Sequence, residues 1–204
     1  HAELLLNKEI EGELRFGKSW SYGVEVMAKL LEIKVGKSNM DGWVSYTYSR
    51  AFREIEEINR GEKYSAPYDK PHDVSIVWNY DISKRVSVAA NWIYQTGRPL
   101  TIPTGRAVIE GNVVPVYSDR NDFRYKPYHR MDVSVTLRGK DKGQRFQHDW
   151  NLSIYNVYNR HNMWSLNFAQ EASDSADPTK AYDTYVENVY LFGIIPSITF
   201  NFRF

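Results

Sequence analysis

Residues 191–204 alternate almost without interruption, and this pattern restricts the possible folds more than any other feature of the chain. Phe192, Ile194, Pro196, Ile198, Phe200, Phe202 and Phe204 fall on one face. Gly193, Ser197, Thr199, Asn201 and Arg203 fall on the other, broken only by Ile195. A period of two is the signature of a strand, because successive side chains of a pleated backbone point to opposite sides. One side is apolar and the other polar. That suits a half-buried strand in a soluble domain, and it equally suits a barrel strand with lipid outside and water inside.

The same alternation recurs six more times. Tyr22, Val24, Val26, Ala28 and Leu30 oppose Ser21, Gly23, Glu25, Met27 and Lys29. Val44, Tyr46 and Tyr48 oppose Ser45, Thr47 and Ser49; Val74, Ile76, Trp78, Tyr80 and Ile82 oppose Asp73, Ser75, Asn79 and Asp81. Val86, Val88, Ala90, Trp92 and Tyr94 oppose Ser87, Asn91 and Gln95; Met131, Val133, Val135 and Leu137 oppose Asp132, Ser134, Thr136 and Arg138. Trp150, Leu152 and Ile154 oppose Asp149, Asn151 and Ser153, and the phase then slips across residues 155–158, where a bulge is expected. No segment carries a helical period, so the chain is expected to be all-β.

The links between these strands differ systematically in length. Short ones follow the first, third and fifth strands, at residues 32–39, 83–85 and 139–144. Long ones follow the second, fourth and sixth, at residues 53–72, 97–129 and 159–190. Antiparallel up-and-down strands with tight turns at one end and long loops at the other describe a transmembrane β-barrel of the bacterial outer membrane. Composition fits that reading. Aromatic residues make up 15% of the chain, including 15 Tyr and 6 Trp, and such rings favour the boundary between apolar and aqueous surroundings. Mean hydropathy is -0.55, and no apolar run is long enough for a transmembrane helix. Cysteine is absent, which removes disulfides and thiolate metal ligands. A net charge of +1 gives no support to nucleic-acid binding. His1, Ala2 and Glu3 open the chain without a basic, apolar leader, as expected for a mature chain or part of one.

Few residues suggest chemistry. His72 and Asp73, with His129 and Asp132, could form a mixed metal site only if their strands were neighbours, and their spacing fits no strong signature. The segments around them, residues 68–76 and 125–135, echo one another in placing Lys, Pro and His ahead of Asp-Val-Ser. They read as repeated strand-entrance chemistry, since Pro suits the end of a ladder. Glu54, Glu56, Glu57, Glu62 and Asp69 make one outer loop acidic, and Glu171, Asp174, Asp177, Asp183 and Glu187 another. Such loops could collect cationic ligands or simply be a solvated surface. No Ser-His-Asp arrangement or phosphate-cradling loop occurs, so no enzymatic activity and no cofactor are expected.

Six stretches, SYGVEVMAKL, DGWVSYTYSR, APYDKPHDVSIVWNYDISKRVSVAANWIYQTGRPLTIPTG, PVYSDRNDFRYKPYHRMDVSVTL, WNLSIYNVYNRHN and LFGIIPSITFNFRF, together resemble the carboxyl-terminal part of a TonB-dependent outer-membrane receptor. The resemblance is collinear over residues 17–204. It is most specific at Gln95-Thr96-Gly97-Arg98-Pro99 and at Asn156-Val157-Tyr158-Asn159-Arg160. It implies that residues 1–204 are the last seven or so strands of a barrel of about 22, with the plug and earlier strands absent. It further implies energised uptake of a siderophore, glycan, peptide or vitamin, with the TonB complex acting through the absent plug. The lipid bilayer surrounds such a barrel, and a surface lipoprotein lid is a further partner in keeping with it. Phe200, Phe202 and Phe204 would carry the signal read by the barrel-assembly machinery.

For ligand contact the outer-loop aromatics Tyr64, Tyr68, Tyr117, Tyr125, Tyr128, Trp164 and Tyr182 are the candidates, although each could equally be a girdle or loop-packing residue. Two other architectures compete. In one, residues 3–14 supply a first strand and eight strands close a small barrel with a structural or adhesion role. In the other, a soluble carbohydrate-binding sandwich buries the apolar faces against each other.

Overall fold

A computed structural model describes residues 15–110, 112–140, 146–172 and 182–204. Seven strands form one antiparallel sheet in the order β1 (Gly17–Val35), β2 (Ser38–Ile55), β4 (His72–Ser83), β5 (Val86–Gln95), β10 (Tyr128–Arg138), β11 (Gln147–Tyr155) and β14 (Ile195–Arg203). Each strand pairs with the strands nearest to it in the chain apart from intervening loop pieces, as the up-and-down reading expects. A two-residue strand, β3 (Tyr64–Ser65), adds to β2. There is no α-helix among the described residues.

The short turns are tighter than the sequence suggested. β1 and β2 run on to Val35 and Ser38, leaving only Gly36 and Lys37 between them. Gly36 has φ +67°, a conformation that costs glycine nothing. Lys84 and Arg85 join β4 to β5, and the Ser83 hydroxyl accepts the amides of Arg85 and Val86 at 3.3 and 3.2 Å.

The long links are not plain loops. The link after β5 contains the hairpin β7 (Pro103–Ile109) and β8 (Asn112–Tyr117), and β6 (Pro99–Leu100) pairs with β9 (Phe123–Arg124). The link after β11 contains the hairpin β12 (Met163–Ala172) and β13 (Tyr182–Tyr190).

Register makes this sheet two-faced from edge to edge. Following the pairs across it, Val26 lies beside Tyr46, Tyr46 beside Val74, Val74 beside Tyr94 and Tyr94 beside His129. Two rows along, Trp78 lies beside Ala90, Ala90 beside Val133, Val133 beside Ile154 and Ile154 beside Pro196. Within the paired strands every apolar series read from the sequence therefore lands on the same side. At the long-link end this face carries Tyr46, Tyr48, Trp92 and Tyr94; at the short-turn end it carries Trp150, Phe200 and Phe202, with aliphatic residues between. Ring contacts run along both margins, Trp92 stacked on Tyr94 at 6.2 Å and Trp150 tilted against Phe200 at 4.7 Å.

Among the described residues nothing packs on that face. Val24 is 65% exposed and Ile198 64%, and the only buried apolar side chains among the described residues are Ala51, Tyr64, Ala66 and Pro99. A soluble domain of this size gains its stability from a buried core. This sheet has none, and no second layer of the kind a sandwich needs is present among the described residues. Neither is a closed barrel: β1 and β14 are the two ends of the strand path. Residues 3–14, the first strand of the small-barrel alternative, lie outside the described residues.

The last strand begins later than its alternation suggested. β14 starts at Ile195, because the Ile194 amide donates to Asn159 Oδ1 at 2.9 Å and not to a neighbouring strand. A Cβ on Gly193 would lie 2.6 Å from the same oxygen. Phe192 is consequently not part of the apolar face. Its ring meets Tyr155 edge-on at 6.4 Å, on the polar side of the sheet.

Candidate functional site

The opposite face is held by side-chain hydrogen bonds between strands. Asn79 Nδ2 donates to Asp41 Oδ1 at 2.8 Å, Asn151 Nδ2 to Thr136 Oγ1 at 2.9 Å, and Asn201 Nδ2 to Asp149 Oδ2 at 2.8 Å. Towards the long-link end the charges cluster. Arg130 contacts Asp132 at 2.9 Å, donates to the hydroxyls of Tyr128 and Tyr155 at 3.0 and 2.7 Å, and lies 4.0 Å over the Tyr155 ring. Each partner is polar or aromatic, so the cluster fixes the two phenols at the end of the sheet.

Beyond β5 the chain turns sharply over this end. The Thr96 amide donates to the His72 carbonyl at 2.9 Å, and the His72 amide to Thr96 Oγ1 at 3.1 Å. A Cβ on Gly97 would come within 1.8 Å of the Tyr125 carbonyl oxygen, so only glycine lets these two backbone segments pass. Arg98 then accepts the Tyr125 amide at its carbonyl, 3.0 Å away, and lays its guanidinium 5.0 Å over the Tyr125 ring.

The two links on either side are joined through Asp69, which the sequence placed among solvated acidic residues. Its carboxylate is fully buried. It accepts the Ala51 amide at 2.6 Å and Arg50 Nε at 3.4 Å, and it pairs with Arg124. The correction has a simple cause: a carboxylate with a guanidinium and a backbone amide in reach can leave water, whereas an unpaired one cannot.

Three asparagines organise the start of the last link. Asn156, at φ +55° and buried, accepts the Arg160 amide at 3.0 Å and donates to the Arg160 carbonyl at 2.9 Å. The Val157 amide rejoins the ladder at the Met131 carbonyl, one residue out of the Val133–Ile154 register, which is the expected bulge. Asn159 takes the Ile194 amide, and Asn162 bonds both backbone groups of His129, at 3.1 and 2.9 Å. Both blocks singled out by sequence, at residues 95–99 and 156–160, thus shape the same corner of the molecule.

That corner encloses a cavity of about 380 Å³, lined among others by Lys70, Arg98, Lys126, Trp164 and Phe192. Three of the predicted ligand aromatics, Tyr125, Tyr128 and Trp164, lie in its wall. The remaining ones do not. Tyr64 is buried in β3 and serves packing; Tyr68 is exposed, with Arg53 5.7 Å from its ring centre. Tyr117 lines a separate cavity of about 560 Å³ between the β7–β8 and β12–β13 hairpins, and the Tyr182 side chain lies outside the described residues. Sequence reading missed Tyr155 and Phe192, which it assigned to the bulge and the apolar face. It also missed Lys70, Arg98 and Lys126, because only aromatics were considered.

The imagined metal site does not form. His72 and Asp73 are successive residues of one strand and point to opposite faces. His72 Nδ1 shares a hydrogen bond with the Tyr46 hydroxyl at 2.9 Å, and His129 Nδ1 with that of Tyr158 at 2.8 Å. No group of three His, Asp or Glu side chains suited to a metal exists among the described residues. Tyr158 lies past the end of β11, and burial is the main influence raising its phenol above the ordinary value, so the hydroxyl stays protonated against His129.

Compared with known proteins, the chain matches no family profile, no curated protein and no solved structure.

Proposed function

We propose that this chain is a wall segment of an outer-membrane transport barrel of the TonB-dependent receptor type, with lipid on the apolar face and the transport lumen on the polar face. The observation that carries the reading is the single-layered sheet. All seven strands put most of their apolar side chains on one face, uncovered among the described residues and edged by rings at both ends, while the other face carries polar networks. Exposed apolar surface of this extent is unfavourable in water, and favourable in a bilayer whose core matches the strands. β5, β10, β11 and β14 have 10, 11, 9 and 9 residues, against about 9 to 11 for a tilted strand that spans the hydrocarbon.

In this reading the two-residue turns face the periplasm and the long links with their hairpins face outward. The cavity beside Tyr125, Tyr128 and Trp164 belongs to the outer vestibule, where a nutrient is captured before import. The TonB complex acts through a plug supplied outside this chain, and Phe200, Phe202 and Phe204 at the inner margin present the edge to the assembly machinery. A surface lipoprotein would sit over the hairpins.

The test is the intact mass of the polypeptide that carries these residues, purified from detergent-extracted outer membrane. A mass several times 23.9 kDa is expected. A membrane-bound species near 23.9 kDa overturns the receptor assignment, and recovery in the aqueous fraction overturns the membrane assignment.

A further inference from the structure

The geometry points to the 380 Å³ cavity as a binding site for a small organic anion, a carboxylate or phosphate attached to a flat or ring-shaped apolar body. The inference deepens the proposed uptake role by naming a ligand class, and rests on that role for the direction from which the ligand arrives.

Charge is the first argument. Lys70, Arg98 and Lys126 line the cavity and no carboxylate does. None of the three takes part in an ion pair among the described residues. Two of the acids that the sequence suggested would make these loops negative, Asp69 and Glu57, are committed elsewhere, as is Asp119. Asp69 is buried between Arg50 and Arg124, Glu57 pairs with Arg15 at 3.0 Å, and Asp119 with Arg60 at 2.9 Å. Asp73 is screened from the cavity by Gln95, which donates to it at 2.6 Å and accepts Lys70 Nζ at 2.9 Å. A nearly neutral chain therefore encloses a basic cavity.

Positioning is the second argument. Arg98 is held between the Tyr125 ring and the Trp164 carbonyl, to which Nη2 donates at 3.2 Å. A guanidinium fixed in this way loses little further freedom when its remaining N–H groups grip an oxyanion, and its planar fork fits both carboxylate and phosphate. Rings form the third. Trp164 and Phe192 line the same space as the cations, giving an apolar surface for a ring to lie against. A cationic ligand would meet three like charges here, and a wholly apolar one would leave them unpaired.

The experiment titrates the full chain, folded in detergent micelles, with 1-naphthoate and 1-naphthyl phosphate, using 1-naphthalenemethanol, 1-naphthol and inorganic phosphate as comparisons. Calorimetry reads binding. At least one organic anion is expected to bind about tenfold or more tightly than its neutral counterpart, as one charge-assisted contact implies. Arg98→Gln and Lys126→Gln should each erase about tenfold of that affinity and leave the circular-dichroism melt of the exposed, loop-borne Lys126 variant unchanged. Equal binding of anions and neutral counterparts, or none by either anion, overturns the inference. Inorganic phosphate binding as tightly as both organic anions overturns the role of the rings. Bilayer insertion is scored separately by flotation with liposomes: a chain that binds anions without floating refutes the membrane reading alone, and one that floats without binding them refutes the anion site alone.

Discussion

Arg124 holds Asp69 at two points, pairing with its buried carboxylate and donating through Nη1 to its backbone carbonyl at 2.9 Å, across a separation of 55 residues. The same Nη1 reaches the Gly97 carbonyl at 3.1 Å. One side chain thus ties the link that precedes β4 to the turn that follows β5. Arg124→Ala would leave the buried carboxylate with Arg50 as its one cationic partner beside the Ala51 amide, and removal of one partner of a buried pair costs about 3 kcal/mol or more. The loss should be local. Limited proteolysis is expected to cut residues 97–127 much faster in the variant, with the cross-strand pairs of β10 and β11 still protected from hydrogen exchange.

The two faces of β4 give a paired test of orientation. Ile76→Arg, at mid-strand on the apolar face between Val44 and Trp92, should destabilise the chain in a bilayer by about 2 to 4 kcal/mol, as should Val88→Arg. Ser75→Arg, one residue away on the polar face, should cost less than about 1 kcal/mol if that face borders a wet lumen, as proposed. Urea titration of liposome-reconstituted protein measures both. Equal costs at Ile76 and Ser75 would refute the assignment of sides.

At Asn156 two contributions can be separated. Its backbone is left-handed and its side chain bonds both backbone groups of Arg160. Asn156→Gly keeps the backbone relaxed and loses two hydrogen bonds, about 2 kcal/mol; Asn156→Ala adds about 1 kcal/mol of strain. Chemical denaturation should rank wild type above Gly and Gly above Ala.

The Tyr–His pairs at the margin of the apolar face predict a smaller effect. Tyr158→Phe removes the hydroxyl that meets His129 Nδ1 and should cost about 1 kcal/mol. The corresponding Tyr46→Phe at His72 should match it within a few tenths, as the contacts have similar lengths, 2.8 and 2.9 Å. A thermal melt of each variant in detergent measures the shift.

How far residue order alone reaches is clear from particular strands. Val86 to Gln95 could be placed because its side chains answer to a two-sided environment that repeats every second residue. The face of each wall strand, and the unequal links, followed from the same rule. The hairpins in the long links were missed for different reasons. Pro115 interrupts β8, where a proline argues against a central strand. Trp164, Leu166 and Phe168 do alternate with Ser165 and Asn167, a usable signal lost by treating residues 159–190 as one loop. The late start of β14 depends on the Asn159 side chain, 35 residues from Ile194, and no local pattern reveals such a diversion. At the cavity the rings Tyr125, Tyr128 and Trp164 were legible by type. The basic charges were not, because the pairing that neutralises Asp69 and leaves Lys126 unmatched is made between separate links.

Because each wall strand is bonded only to the strands on its two sides, a load applied at one edge is not shared by the rest of the sheet. Pulled from the carboxyl end, the wall should unzip in steps, β14 leaving β11 before the β10–β11 hairpin gives way, and the force trace would read the order of the strands directly.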